Sequence, residues 1–206
     1  ILPEHLDFSR GYLNEYSISK SEKEYIHDYL YNVKTLQNRS RLALKITGPG
    51  RLKFLSELFP DAKFIWLRRD FTPILSSFLK VDFFQNRQTQ ELWWRSDKVK
   101  SRLEHFPEIK DDPILFTAFQ LHEIINDIET SIRELKLDVQ YVDYEQFTKN
   151  PLGLLEQTLD FCELDKDDKC FAFLKNTSIS NRNKSDLDYF NESTLQKIDS
   201  LRNKLR

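Results

Sequence analysis

The sequence predicts an α/β fold, a parallel β-sheet flanked by helices in three layers. Two observations carry this. Short apolar runs at residues 42–46, 63–67 and 139–142 alternate with longer stretches of helical periodicity. Each connection between runs is too long for a hairpin, so successive strands return in parallel with a helix laid across the sheet. No internal repeat or low-complexity linker interrupts residues 1–206, and one domain is expected over that length.

Taken in order, residues 1–19 read as irregular, with Pro3 and Gly11 among several turn formers. Ser21, with Glu24 three residues on, reads as the cap of a helix to Gln37, whose apolar positions are Tyr25, Tyr29, Leu30, Val33 and Leu36. Leu42-Ala-Leu-Lys-Ile46, bounded by Ser40 and the Gly48-Pro49-Gly50 turn, reads as a buried strand. Residues 51–59 are helical, and Pro60-Asp61 closes them. A second strand over 63–67 runs into Arg68, Arg69 and Asp70, then a helix to Lys80. Helices are expected over 88–104 and 113–137, and a third strand over 139–142. Two further helices, 151–162 and 166–174, lead to a polar loop over 175–191. A last helix spans 192–205, with Asn191 or Ser193 near its start.

Composition narrows the function. Lys plus Arg number 31 against 33 Asp plus Glu, a net charge of −2 without the basic surplus of a general nucleic-acid binder. With 39% hydrophobic and 13% aromatic residues the chain is not a disordered tail. No apolar run approaches the roughly 20 residues of a membrane span. Cys162 and Cys170 have no His or Cys at metal spacing, so neither a disulfide framework nor a metal site is expected. A reduced compartment and, with no signal-peptide pattern, the cytoplasm are the expected location. The chain holds no Met, so further residues are expected upstream of Ile1.

Charge is uneven. Residues 63–102 hold nine Lys/Arg against four Asp/Glu, and residues 104–145 hold three against eleven. One end of the basic stretch is a strand terminus, where open α/β sheets bind ligands. There Arg68 and Arg69 precede a helix with Thr72 in its first turn and Ser76 and Ser77 beyond. A guanidinium at a helix N-terminus with hydroxyls nearby is a compact phosphate site. Lys45, at the end of the neighbouring strand, is expected to project a cation into the same crevice.

The stretch from Leu44 to Lys80 resembles the sulfotransferases that use 3′-phosphoadenosine 5′-phosphosulfate (PAPS). The matching residues are Leu44-Lys45, Phe59-Pro-Asp-Ala-Lys-Phe-Ile65, and Arg69-Asp70 with Ser77 eight residues after the arginine. Later markers are Tyr144-Glu145-Gln146-Phe147, Asn150-Pro151 and Leu159-Asp-Phe-Cys-Glu-Leu164, so the likeness covers residues 40 to 164 in order. It implies a P-loop NTPase-like sulfotransferase fold. Carried over, Arg69 and Ser77 would hold the 3′-phosphate, with Lys45 at the sulfuryl group or its bridging oxygen and Tyr144 near the adenine. Arg182, with Lys184, would supply a further basic contact.

The pattern is incomplete. The family's Ser-Gly-Thr-Thr-like phosphosulfate loop is absent, and is expected upstream. Phe71 replaces the usual Pro after Asp70. Thr47 stands where cytosolic members often carry the His base, so the base must lie elsewhere. Glu4, in Leu2-Pro3-Glu4-His5, is one candidate and His122 a second. The resemblance implies a hydroxyl or amine acceptor, met by variable segments around residues 83–113, where Trp93 and Trp94 could stack on it or simply build core. Two rivals remain: a P-loop nucleotide or sugar kinase, though no G-x-x-x-x-G-K-[ST] is present, and a non-catalytic module of the same fold.

Overall fold

A computed structural model describes residues 18–81, 91–94 and 96–206. In chain order its elements are α1 (Lys20–Leu36), α2 (Leu52–Leu58), β1 (Phe64–Arg68), α3 (Phe71–Leu79), α4 (Asp97–Glu104) and α5 (Pro113–Leu135). There follow β2 (Val139–Asp143), α6 (Tyr144–Lys149), α7 (Pro151–Phe161), α8 (Asp168–Lys175), α9 (Asn183–Leu187) and α10 (Glu192–Leu205). β1 and β2 pair in parallel, Phe64 opposite Val139 through Arg68 opposite Asp143. The fold is thus α/β with a parallel sheet, as the alternation of elements predicts.

The chain divides into two compact units. Of the described residues, one holds 18–62, 92–94, 96–105 and 123–136, and the other 63–81, 91, 106–122 and 137–206.

In the first unit, α1 is capped by Ser19 rather than Ser21. Ser19 accepts from the Glu22 N–H, and the Glu22 carboxylate accepts from the Ser19 N–H at 2.8 Å. Glu22 lies three residues after Ser19, which is the spacing a capping box needs. Ile26 of α1 packs with Phe54 and Leu58 of α2. Lys23 and His27 meet the carbonyls of Glu57 and Leu58 at 2.8 and 2.7 Å, two of the acceptors α2 leaves open at its C-terminal end. The expected strand at residues 42–46 is not one: the run has no regular secondary structure, and among the described residues only β1 and β2 pair. Leu42, Leu44 and Ile46 all stay exposed, so the run is not buried either. Periodicity finds an apolar run and cannot supply its ladder partner.

The helix expected over 88–104 begins at Asp97, because the Ser96 hydroxyl caps it by accepting from the Val99 N–H at 3.2 Å. Residues 91–94 are non-helical, and the start of the expected helix lies outside the described residues. Trp93 is buried and meets Trp94 edge-on, centroids 5.9 Å apart.

Glu123, on α5, is buried in this unit with Arg102 at 3.4 Å. Burial raises its pKa above 4.5, against the pull of Arg102 and Lys98, and Asp127 adds to the rise. The folded state therefore holds more protons than the unfolded one from 4.5 upward, and stability falls as pH rises through that window. Glu123→Gln should remove this dependence and raise stability at pH 7 by on the order of 1 kcal/mol. Urea melts at pH 5 and pH 7 test it; a variant less stable at pH 7 would mean that the pair with Arg102 outweighs desolvation.

The second unit is built from β1, β2 and the helices around them. Phe71, Leu75, Phe119 and Ile198 are among its buried side chains. Phe119 meets Phe106 at 6.3 Å, and the Arg202 guanidinium covers the Phe71 ring at 4.4 Å. Asn150 and Asn191 cap α7 and α10, accepting from the N–H groups of Gly153 and Thr194. The polar loop expected over 175–191 contains α9, which packs against α3.

Candidate active site at the end of the parallel sheet

The carboxyl ends of β1 and β2 lie side by side, and the residues that follow them form one polar network within the second unit. Arg68 and Arg69 have different fates. Arg68, the last residue of β1, forms a two-pronged pair with Asp143 opposite it, Nε to Oδ1 at 2.8 Å and Nη2 to Oδ2 at 3.0 Å. Its guanidinium also lies over the Tyr141 ring, 4.4 Å from the centroid. Arg68 is therefore neutralised within the sheet.

Arg69 turns instead toward α3 and α9. Its guanidinium lies on the Tyr144 ring at 4.6 Å, its Nε donates to Asn183 Oδ1 at 2.8 Å, and its Nη2 donates to Asp186 Oδ2 at 2.6 Å. The Asn183 amide can point only one way, since its NH₂ must face the carboxylates of Asp70 and Glu145 while its oxygen faces Arg69. Lys80, at the far end of α3, donates to the other Asp186 oxygen at 2.9 Å. The Tyr144 hydroxyl donates to the Ser180 carbonyl at 3.0 Å and accepts from the Arg182 N–H at 3.1 Å. These contacts bring the segment from Ser180 to Asp186 onto the ends of both strands.

The charges are mutually compensated. Burial alone would raise the Asp186 pKa, but the bonds and charges of Lys80 and Arg69 hold it below 3.8. Glu145 behaves alike: burial pushes it up, and hydrogen bonds from Asn183, its own N–H and the Asp70 N–H, with the charge of Arg69, keep it below 4.5. Both carboxylates are ionised at neutral pH. Asp70 caps α3 without a side-chain bond, and Pro73 at the third position has no N–H. The N–H groups of the first turn thus have no side-chain acceptor from Asp70.

The family model described as sulfotransferase family matches residues 16–168. The chain belongs to the sulfotransferase family. No match is found among curated proteins or solved structures.

Of the residues to which the resemblance assigns a nucleotide contact, Arg69, Tyr144 and the backbone of Arg182 meet in the one network. Ser77, two turns into α3, is half-buried, while its neighbour Ser76 is wholly buried, its hydroxyl without a hydrogen-bond partner among the described residues. Lys45 lies in the other unit, exposed on the irregular run before Gly48, as does Thr47. Glu4 lies outside the described residues. His122 is half-buried on α5. Sequence reasoning missed Lys80 and Asp186. Neither sits in a motif; the only hint was that Lys80 closes the helix that Arg69 opens. No cluster of three or more His, Cys, Asp or Glu that could hold a metal ion, and no helix long and apolar enough to cross a membrane, occurs among the described residues.

Proposed function

We propose that this sulfotransferase takes its sulfuryl group from PAPS and delivers it to a hydroxyl or amine acceptor. The observation that carries the reading is the Arg69 guanidinium: it follows β1 directly, precedes α3, lies on the Tyr144 ring and is already bonded to an anionic group. That is the chemistry a nucleotide 3′-phosphate requires, a planar fork beside a helix N-terminus and an aromatic face. Ser77 would add a hydroxyl donor to the same phosphate. Tyr144 would border the adenine, and Arg182 would approach from the segment that Tyr144 holds.

In the reaction, the acceptor oxygen or nitrogen attacks sulfur in line. A new bond to sulfur forms as the bond from sulfur to the 5′-phosphate oxygen breaks, leaving 3′-phosphoadenosine 5′-phosphate. A base takes the acceptor proton, with Glu4 and His122 as candidates, since a Thr47 hydroxyl cannot do so at neutral pH. Lys45 would neutralise charge growing on the leaving phosphate, so most of the catalysis is positioning and electrostatics.

Transfer of labelled sulfate from PAPS to a panel of sugar, phenol and amine acceptors tests the reading. Lys45→Ala should lower turnover by about a hundredfold while the dissociation constant for 3′-phosphoadenosine 5′-phosphate changes little. Nucleotide binding with no transfer to any acceptor class would favour a non-catalytic module, a reading that Thr47 at the usual base position supports. Absence of nucleotide binding would remove the PAPS assignment.

A further inference from the structure

The cations of the candidate nucleotide site already hold an anion that belongs to the chain itself. Asp186 offers one carboxylate oxygen to Arg69 and the other to Lys80, at 2.6 and 2.9 Å, and its side chain is only 15% exposed. Two oxygens of one carboxylate, each on its own cation, reproduce the contacts that two oxygens of a terminal phosphate would make.

We propose that Asp186 is an internal counter-ion which a nucleotide phosphomonoester displaces, and that Lys80 is the second cation of that phosphate's site. The inference rests on the reading of Arg69 as the 3′-phosphate ligand and goes beyond it by adding a residue to the site and a competitor within it.

The exchange is favourable for one class of ligand. A phosphomonoester carries about −1.5 to −2 charge at pH 7 and three strong acceptor oxygens, against the single charge and two oxygens of Asp186. Two cations match that charge. A nucleotide whose only phosphate is at the 5′ position does not present one to Arg69 and Lys80 when its base lies at Tyr144, so it does not compete with the carboxylate. The segment bearing Asp186 has anchors that do not involve it: the Ser180 carbonyl and the Arg182 N–H on the Tyr144 hydroxyl, and the Asn183 amide on Asp70 and Glu145. The carboxylate can swing out while the segment stays attached, keeping Arg182 near the site. Because the closed form cannot bind the phosphate, the apparent dissociation constant is the intrinsic one divided by the open fraction.

Calorimetric titration of the protein with 3′-phosphoadenosine 5′-phosphate and, separately, with adenosine 5′-phosphate tests this. Asp186→Asn should tighten the first about tenfold and leave the second unchanged, as expected if roughly a tenth of the wild-type molecules are open. Lys80→Gln in the Asp186→Asn background should then weaken the first about tenfold. Asp186→Ser repeats the measurement should the Asn variant melt early. Unchanged or weaker binding in the Asp186 variants, with binding still lost in Arg69→Ala, would overturn the inference and make Asp186 a positioning residue for Arg69. Binding that survives Arg69→Ala would overturn the phosphate reading itself, and this inference with it.

Discussion

Arg69→Ala is expected to weaken binding of 3′-phosphoadenosine 5′-phosphate by several hundredfold, about 3–4 kcal/mol. The side chain makes three kinds of contact at once: a ring stack on Tyr144, a bond through Nε and a bond through Nη2. With a phosphate in place of Asp186, truncation would leave a dianion facing Lys80 alone. Arg69→Lys is the informative companion. An ammonium is a point charge and cannot lie flat on Tyr144 while donating in two directions. It should recover only a minor part of the loss. Folding should suffer less than binding, because Asp186 keeps Lys80 at 2.9 Å when Arg69 is gone. Titration alongside thermal melts separates the two: a large loss of affinity with a melting shift of a few degrees supports the assignment. Equal binding by Arg69→Lys and wild type would show that charge alone matters and that the Tyr144 stack is incidental.

Much of this site was legible before the structure because its parts belong to local patterns. Arg69 follows one strand directly and Tyr144 follows the other, so the parallel pairing of β1 with β2 puts the two together. That the strands run parallel could be read from hydrophobic runs separated by helical stretches, but the neighbour expected beside 63–67 was the run ending at Lys45, not 139–142. Asp186 was not legible. An acid in a polar loop has no periodicity, and its partners lie 106 and 117 residues away in sequence. The split between Arg68 and Arg69 was also hidden, since it depends on register: Asp143 stands opposite Arg68 and not one residue further along. Residues 42–46 failed for the opposite reason. Their apolarity was real, but a strand is a relation between two segments and one segment's composition says nothing about its partner.

The turn that follows those residues sets up the largest expected effect on stability. Gly48→Ala should lower the stability of the protein by about 3–5 kcal/mol. Gly48 sits at φ +77°, a left-handed conformation that costs an L-residue about 1–2 kcal/mol. A Cβ there would also stand 2.4 Å from Cζ2 of Trp94 and within 2.8 Å of two more atoms of the indole. The ring has little room to retreat, as it meets buried Trp93 edge-on. Nor can the turn shift freely. Arg51 Nη1 gathers the carbonyls of Thr47 and Pro49 at 3.2 and 3.1 Å, and a Cβ on Gly50 would meet Ile128 at 2.9 Å, so the turn is close-packed on both sides. Trp94→Ala in the Gly48→Ala background separates the two costs. If the clash dominates, the double variant loses far less than the sum of the singles; if backbone strain dominates, the losses add. Denaturant melts followed by tryptophan emission supply all three values. Gly48→Ala tolerated within about 1 kcal/mol would mean that the turn yields. Lys45, three residues earlier on an exposed segment that pairs with no described strand, would then lack the rigid support that its proposed role needs.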